Sequence, residues 1–527
     1  MRLKPAVLFG FILLCLYFRG IGDHGLIDPV EGINASIIAH MAGGGNYFVP
    51  KIGEALASGS SMGSWWLSVI AMKFFGWGEF AMRLFPALSG LGMIWASAKA
   101  ARIYPEEQPR KSWLAACVCA GMTLCFVVSH IASPHAIYSC MMGFAMSGIA
   151  RSIHNKRTLT RAHMAITFAF MAYGFEGILI PFLAVIVYFV ISDDREMMRD
   201  FFTWPGGIII TIAVSGMYFV TLMITNPEII HFMRCRNYAY TFGGIAGIMA
   251  FMFVCFVPFH GFILRALYEG FSVLDEYEYN DERSPELFMS VWAVVFFLAG
   301  IISGDILSLG ACVPALSALL GRKLDSWLSQ RSFESMRYAV MFNTLILIPV
   351  LYILFPFVAH NFPVAEASMM SLIPWWIAEG VFLFASWYYT KTRQPVKWAR
   401  NVSAAALICL MPLAGVFNLI AGAYSAHTTG MSLRDAVKGN DIVIQYGVNY
   451  PSMYFYSLRN SRIINAELTP GVAERKFVAP ETAINTLWGG KSRVFLLMPD
   501  NMKSDSTLPK NLFHIAGGEG LLLLSNQ

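Results

Sequence analysis

Residues 26–41 read LIDPVEGINASIIAHM, and the fold turns on how this stretch is understood. Asp28-Pro29-Val30-Glu31 opens a helix that runs to Met41. Proline suits a helix start, and Glu31 falls in the first turn, where a carboxylate complements the helix dipole. On spacing alone Asp28 is then an N-cap. The second reading is chemical. The stretch follows closely on an apolar run at 4–20, and carboxylates beside a membrane helix are costly unless solvated or paired. Asp28 and Glu31 are therefore also candidates for chemistry, with His24 just before them.

The rest of the chain supports a membrane setting. Its 527 residues are 56% hydrophobic and 13% charged, about half the charged fraction of a soluble domain. That composition excludes an ordinary soluble enzyme, a disordered protein and a collagen-like chain. A net charge of +5 without a dense basic, aromatic-rich run points away from nucleic acid. A bilayer span needs about 20 mostly apolar residues. About thirteen candidates follow, near 4–20, 81–100, 112–130, 133–151, 162–174, 176–192, 204–225, 241–265, 287–303, 305–321, 336–359, 371–390 and 401–424. The pairs 162–174/176–192 and 287–303/305–321 each read as two short helices meeting at a turn or as one broken helix. With the N-terminus in the cytoplasm, about 21 Lys and Arg fall in inner loops and about 6 outside. This asymmetry predicts a multi-pass protein with an outer C-terminus. The first 20 residues read as a retained first helix.

Two outer segments are long, 21–80 and 425–527. The division expected is a transmembrane domain over 1–424, with 21–80 as its first external loop, and a small extracytoplasmic α/β domain over 425–527. In the tail, Asp441–Tyr446, Arg462–Asn465 and Val494–Met498 read as buried strands, and Pro451–Leu458 and Pro480–Leu487 as helices between them. In the first loop, Ser64–Gly76 is too short to span and reads as an interfacial helix, with Trp65, Trp66 and Trp77 suited to the headgroup zone. Pro227–Tyr240, carrying Arg234 and Arg236, reads as a second one. Eight histidines lie scattered near the outer side without H-x-x-x-H or H-E-x-x-H spacing, so no metal site is expected. The nine cysteines read mostly as small buried hydrophobes.

The first loop resembles that of the GT-C glycosyltransferases, in the branch of the lipid A aminoarabinose transferases and protein O-mannosyltransferases. The resemblance rests on an ordered set of features. The acidic-Pro-x-Glu start and the helix ending in Met41 come first, then the turn Gly45-Asn46-Tyr47-Phe48-Val49-Pro50. The interfacial helix follows, and last Phe75-Gly76-Trp77-Gly78-Glu79-Phe80-Ala81-Met82-Arg83-Leu84-Phe85-Pro86 at the start of the second span.

The resemblance implies transfer of a sugar from a polyprenyl-phosphate carrier to a lipid, glycan or protein acceptor, on the outer face of a bacterial inner membrane. The alternative is a catalytically degenerate relative that binds a lipid or a partner. No cofactor is implied beyond the lipid-linked donor. The partners are membrane lipid, the lipid-linked sugar and a protein at the C-terminal domain. Asp28 or Glu31 would orient or deprotonate the acceptor. Arg83, Arg234 and Arg236 would hold the leaving phosphate. His24, Lys51, Ser133, His135, Glu176 and Asp305 would line the cavity. The chain also departs from the family pattern. Ser60-Ser61-Met62-Gly63 replaces a Glu-Lys-Pro-Pro, Ala132-Ser133-Pro134-His135 lacks an acid, and Glu176-Gly177 and Ser303-Gly304-Asp305 stand where lysines are common. An acid at such a turn needs a partner if buried, and Glu176 or Asp305 is expected to pair with Arg83, Arg234 or Arg236.

Overall fold

The structure is a computed structural model that describes residues 5–57, 61–153, 155–193, 195–225, 255–272, 284–329, 333–361, 365–439, 441–466, 478, 483–490, 492–502, 508–509 and 511–527. It is mainly helical, with one small five-stranded sheet. The chain forms two compact units. One comprises the described residues of 1–19, 85–219 and 239–416; the other comprises those of 20–84, 220–238 and 417–527. The tail expected to stand alone from 425 thus shares its unit with the first loop.

The first unit is a helical bundle. Its early members are α1 (Pro5–Phe18), the greater part of α4 (Glu79–Ala101), α5 (Pro109–Gly121), α6 (Thr123–His130), α7 (His135–Ala150), α8 (Thr158–Tyr173) and α9 (Glu176–Ser192). Small residues bring these helices close, as in membrane bundles. A Cβ added at Gly143 would lie 2.9 Å from the Ala96 Cβ, and one at Gly321 would lie 2.6 Å from the Ala115 backbone nitrogen. Seven of the eight described cysteines are buried, in keeping with their apolar context; Cys15 is exposed.

By length and composition, four helical stretches among the described residues can cross a bilayer: Pro205–Thr225, Pro285–Ser303, Ile306–Trp327 and Pro395–Tyr424. A fifth is added if α5 and α6, bent by 59°, count as one broken span. Several of the apolar segments behind the expected count of about thirteen fold as helices shorter than 18 residues, and others lie wholly or partly outside the described residues. α7 and α8 have 16 residues each and α9 has 17. The ambiguous 162–174/176–192 pair is two helices with Gly174 between them, at φ 91°. Gly174 can hold that left-handed conformation because it lacks a Cβ. Most of the span expected at 241–265, and the interfacial helix expected at Pro227–Tyr240, lie outside the described residues.

The second unit contains α2 (Val30–Ala42), α3 (Met62–Phe75) and the sheet. Sheet order is β4 (Ser461–Ile464), β3 (Ile442–Tyr446), β5 (Val494–Pro499), β7 (Leu521–Ser525), β6 (Phe513–Gly518). β4, β3 and β5 run parallel, and β7 and β6 add an antiparallel hairpin. Both faces are covered, which is why the strands read as continuous apolar runs. Ile444, Leu496 and Leu524 pack with Trp488 on one face, while Val443, Phe495 and Leu523 pack with Leu433 and Met453 on the other.

Gly321 packs against backbone, so a side chain there forces the helix Val313–Trp327 away from α5. Gly321→Leu is expected to cost about 1–3 kcal/mol or more, read as a lowered Tm of the purified protein in detergent. An unchanged Tm would count against this packing.

Candidate active site

The centre of the second unit is the guanidinium of Arg83, at 0% exposure. α4 delivers it into the loop 21–29, which winds around it. Nε donates to Glu31 Oε1 at 2.8 Å and Nη2 to Glu31 Oε2 at 2.6 Å. Nη1 donates to the carbonyls of Ile21 and His24, and Nη2 also to that of Gly25. A guanidinium has five N–H donors, and all five are used. Glu31, equally buried, also accepts from the Ile27 amide at 2.8 Å. With no donor left over, this guanidinium serves loop 21–29 and Glu31. Of its expected pairings, that with Glu176 or Asp305 is not seen, since its carboxylate partner is Glu31.

Asp28 is placed by this loop and by the sheet domain. Its amide donates to the Tyr424 carbonyl at 2.7 Å. Its Oδ1 accepts from the Ser452 amide at 2.9 Å, and its Oδ2 accepts from the Ser452 hydroxyl. The N-cap of α2 is Pro29 and no side chain caps it, so the cap reading of Asp28 does not hold. The carboxyl serves instead the first turn of the short helix Ser452–Ser457. Burial pushes the Asp28 carboxyl up to about 8, against the lowering effect of the two Ser452 hydrogen bonds.

Neighbouring groups complete the cluster. The Leu26 amide donates to the Tyr456 hydroxyl, which donates to Glu79 Oε1 at 2.9 Å. His427 Nε2 lies 3.5 Å from the same oxygen. His24 is buried and stacks on Phe417. Its Nδ1 donates to the Gly25 carbonyl, and its Nε2 has no hydrogen-bond partner among the described residues. Burial and then the Arg83 charge lower its pKa, which favours the neutral ring. Lys51 stands on β1 (Lys51–Ile52), paired with β2 (Ala55–Leu56), and its charge helps to lower the pKa of His40.

A second buried polar cluster belongs to the helical unit. His135 Nε2 lies 2.8 Å from Asp305 Oδ2, and the Tyr173 hydroxyl donates to the same oxygen at 2.5 Å. Ser133 Oγ is 3.0 Å from His135 Nδ1. Asp305 therefore has a histidine and a tyrosine among its partners. Two of the four stretches noted above as departing from the resembled pattern, 132–135 and 303–305, thus meet through His135 and Asp305. Glu176 is half-buried in the first turn of α9, where the dipole favours an acid. Arg234 and Arg236 lie outside the described residues.

Sequence reasoning missed Ser452, Tyr456, Glu79 and Tyr173. Tyr173 had a usable signal, since it ends α8 beside the Gly174 turn. Ser452 and Tyr456 lie more than 400 residues from their partners, and no local pattern marks them.

Comparisons with known proteins agree with this architecture. Residues 60–219 match the family model described as dolichyl-phosphate-mannose-protein mannosyltransferase. No match is found among curated protein sequences. ArnT from Cupriavidus metallidurans in the apo state is 18% identical, with a TM-score of 0.78 over 99% of this chain and 98% of that one. The same enzyme bound to undecaprenyl phosphate gives 17% identity and a TM-score of 0.78 over the same shares. The archaeal oligosaccharyltransferase AglB from Archaeoglobus fulgidus, in complex with an inhibitory peptide and a dolichol-phosphate, is 12% identical with a TM-score of 0.52, covering 94% of this chain and 69% of that one. The chain is a membrane protein with an ArnT-like GT-C fold, and it resembles the GT-C glycosyltransferases.

Two outcomes follow from the cluster. Arg83→Met strands a buried carboxylate, and breaking such a pair costs about 3–5 kcal/mol. Arg83→Met with Glu31→Leu removes both charges, so the double variant is expected to melt above the single one in a double-mutant cycle. Equal melting temperatures would show that Glu31 is not left as a lone charge. Asp28 has a folded pKa raised above its unfolded value, so it contributes stability below about pH 4 that is lost as pH rises toward about 8. Asp28→Asn cannot ionise and still accepts from the Ser452 amide. The wild-type Tm is therefore expected to fall relative to Asp28→Asn between pH 5 and pH 8; a constant difference argues against a raised pKa.

Proposed function

We propose that the protein transfers a sugar from a polyprenyl-phosphate carrier to an acceptor at the outer face of a bacterial cytoplasmic membrane. The observation that carries this reading is the ArnT-like fold across 99% of the chain, shared with a structure that holds undecaprenyl phosphate. The mannosyltransferase model over 60–219 supports the same class of donor.

In this reading an acceptor oxygen attacks the anomeric carbon, and the bond from that carbon to the carrier phosphate breaks. Polyprenyl phosphate leaves with the electron pair. A hydroxyl acceptor must also lose a proton, and Asp28 is the group proposed to take it. Its carboxyl is pushed up to about 8, within reach of the range that suits a general base. Glu31 is the less suitable base, because both its oxygens are bound to Arg83. The proposed role of Arg83 is to hold loop 21–29 around Asp28. In the helical unit, the Asp305–His135 pair is proposed as a cavity-lining acid–base group. The phosphate clamp falls to Arg234 and Arg236 on this reading, and the C-terminal sheet region is proposed to be periplasmic.

One observation favours the degenerate alternative. Every Arg83 donor is engaged by protein groups, and each Asp28 carboxyl oxygen already accepts from Ser452. Turnover separates the readings. The purified chain is given a short-chain polyprenyl-phosphate sugar and an outer-envelope lipid extract as acceptor, and release of polyprenyl phosphate is followed. The transferase reading expects release by the wild type and a loss of about 10²–10⁴-fold in Asp28→Asn, the range typical of general acid–base groups. Wild-type protein that binds polyprenyl phosphate without ever releasing it from the sugar would establish the binding-protein reading.

A further inference from the structure

A cavity of about 340 Å³ opens among α4, α7 and α8, inside the helical unit. It is of the size usual for small-ligand sites. Its lining is sorted by polarity. Lys99 lies two residues before the end of α4, Arg151 directly follows α7, and Arg161 is in the first turn of α8. The three helix ends converge, so the three cations stand at one end of the cavity. Deeper along the same helices lie Trp95, Phe144 and Phe168. At 1.5 Å per residue they are about 6–10 Å further in. Trp95 and Phe144 meet edge to face at 5.4 Å, and Lys99 lies over Trp95 at 5.5 Å. No acidic residue lines the cavity, and none of the three cations forms an ion pair among the described residues.

Unpaired basic side chains at helix ends are common where they snorkel to a membrane interface. Here they border one half-open groove whose floor turns apolar within two helical turns, with Trp95 and Phe168 exposed along it. A free anion has no use for the aromatic part, and an apolar ligand has none for the cations. We propose that this cavity binds a membrane phospholipid with an anionic headgroup. The phosphate lies among Lys99, Arg151 and Arg161, and the upper acyl chain lies along Trp95, Phe144 and Phe168. Charge asymmetry predicts that these helix ends face the cytoplasm, so the lipid is one of the inner leaflet. This site is separate in kind from a donor site on the outer face: it takes a resident lipid, not a sugar carrier.

The test is native mass spectrometry of the full chain, released from detergent in the presence of phosphatidylglycerol or of phosphatidylcholine with the same acyl chains. The wild type is expected to retain phosphatidylglycerol in preference. Lys99→Gln/Arg151→Gln/Arg161→Gln is expected to weaken retention on the order of tenfold or more, from the attraction of each basic group to anionic lipid. Arg161→Gln alone, at an exposed position that the fold tolerates, is expected to give an intermediate loss. Phe144→Ala/Phe168→Ala should also weaken retention, as an acyl-chain contact requires and a bare anion site does not. Arg195→Gln/Arg199→Gln removes two exposed cations elsewhere and should leave retention unchanged. Equal retention of the two lipids, equal retention by the triple variant, or a loss in the control as large as in the triple variant overturns the proposal. So does an aromatic double variant indistinguishable from wild type.

Discussion

A guanidinium with every donor engaged organises the second unit. Arg83 holds Glu31 by two bonds and three loop carbonyls by the others. Such a centre has one stable arrangement, because any shift of the loop leaves a buried N–H or carbonyl without a partner. Loop 21–29 is thereby given a fixed path in spite of Gly22 and Gly25. That path sets where Asp28 points. Asp28 is thus positioned by a residue that does not touch its carboxyl.

The two polar clusters solve the same problem with different means. In the loop, a permanent cation neutralises the buried acid. In the helical unit, Asp305 is met by the His135 ring and the Tyr173 hydroxyl, whose hydrogen bonds do not depend on a fixed positive charge. Each buried acid is thus held by groups suited to its own surroundings.

Much of this was legible in the residues. The helix expected from Asp28 to Met41 is Val30–Ala42, and the interfacial helix expected at Ser64–Gly76 is Met62–Phe75. Strands β3, β4 and β5 fall within a residue of their expected places. These features are local, set by apolar period and turn chemistry. The β6–β7 hairpin went unread, although Glu519-Gly520, both with positive φ, forms the two-residue connection that such a hairpin favours. Partners distant in sequence could not be read at all. Nothing near Arg83 says that its carboxylate lies 52 residues earlier, and nothing near His135 points to Asp305, 170 residues later. Periodicity describes faces, whereas a buried ion pair is a property of the assembled fold.

The bond between Asp28 and Ser452 joins residues 424 apart in the chain. A ribosome adding about 5–20 residues per second needs roughly 20–85 s to cover that distance. For that interval the first loop is already made while its partner does not yet exist. Its carboxyl stays hydrated, and the short helix that will receive it has no sequence. The loop is completed by a helix made more than 400 residues later. A nascent chain therefore displays the lipid-facing bundle well before it holds Asp28 in its final place, so assembly of the site is timed by translation itself.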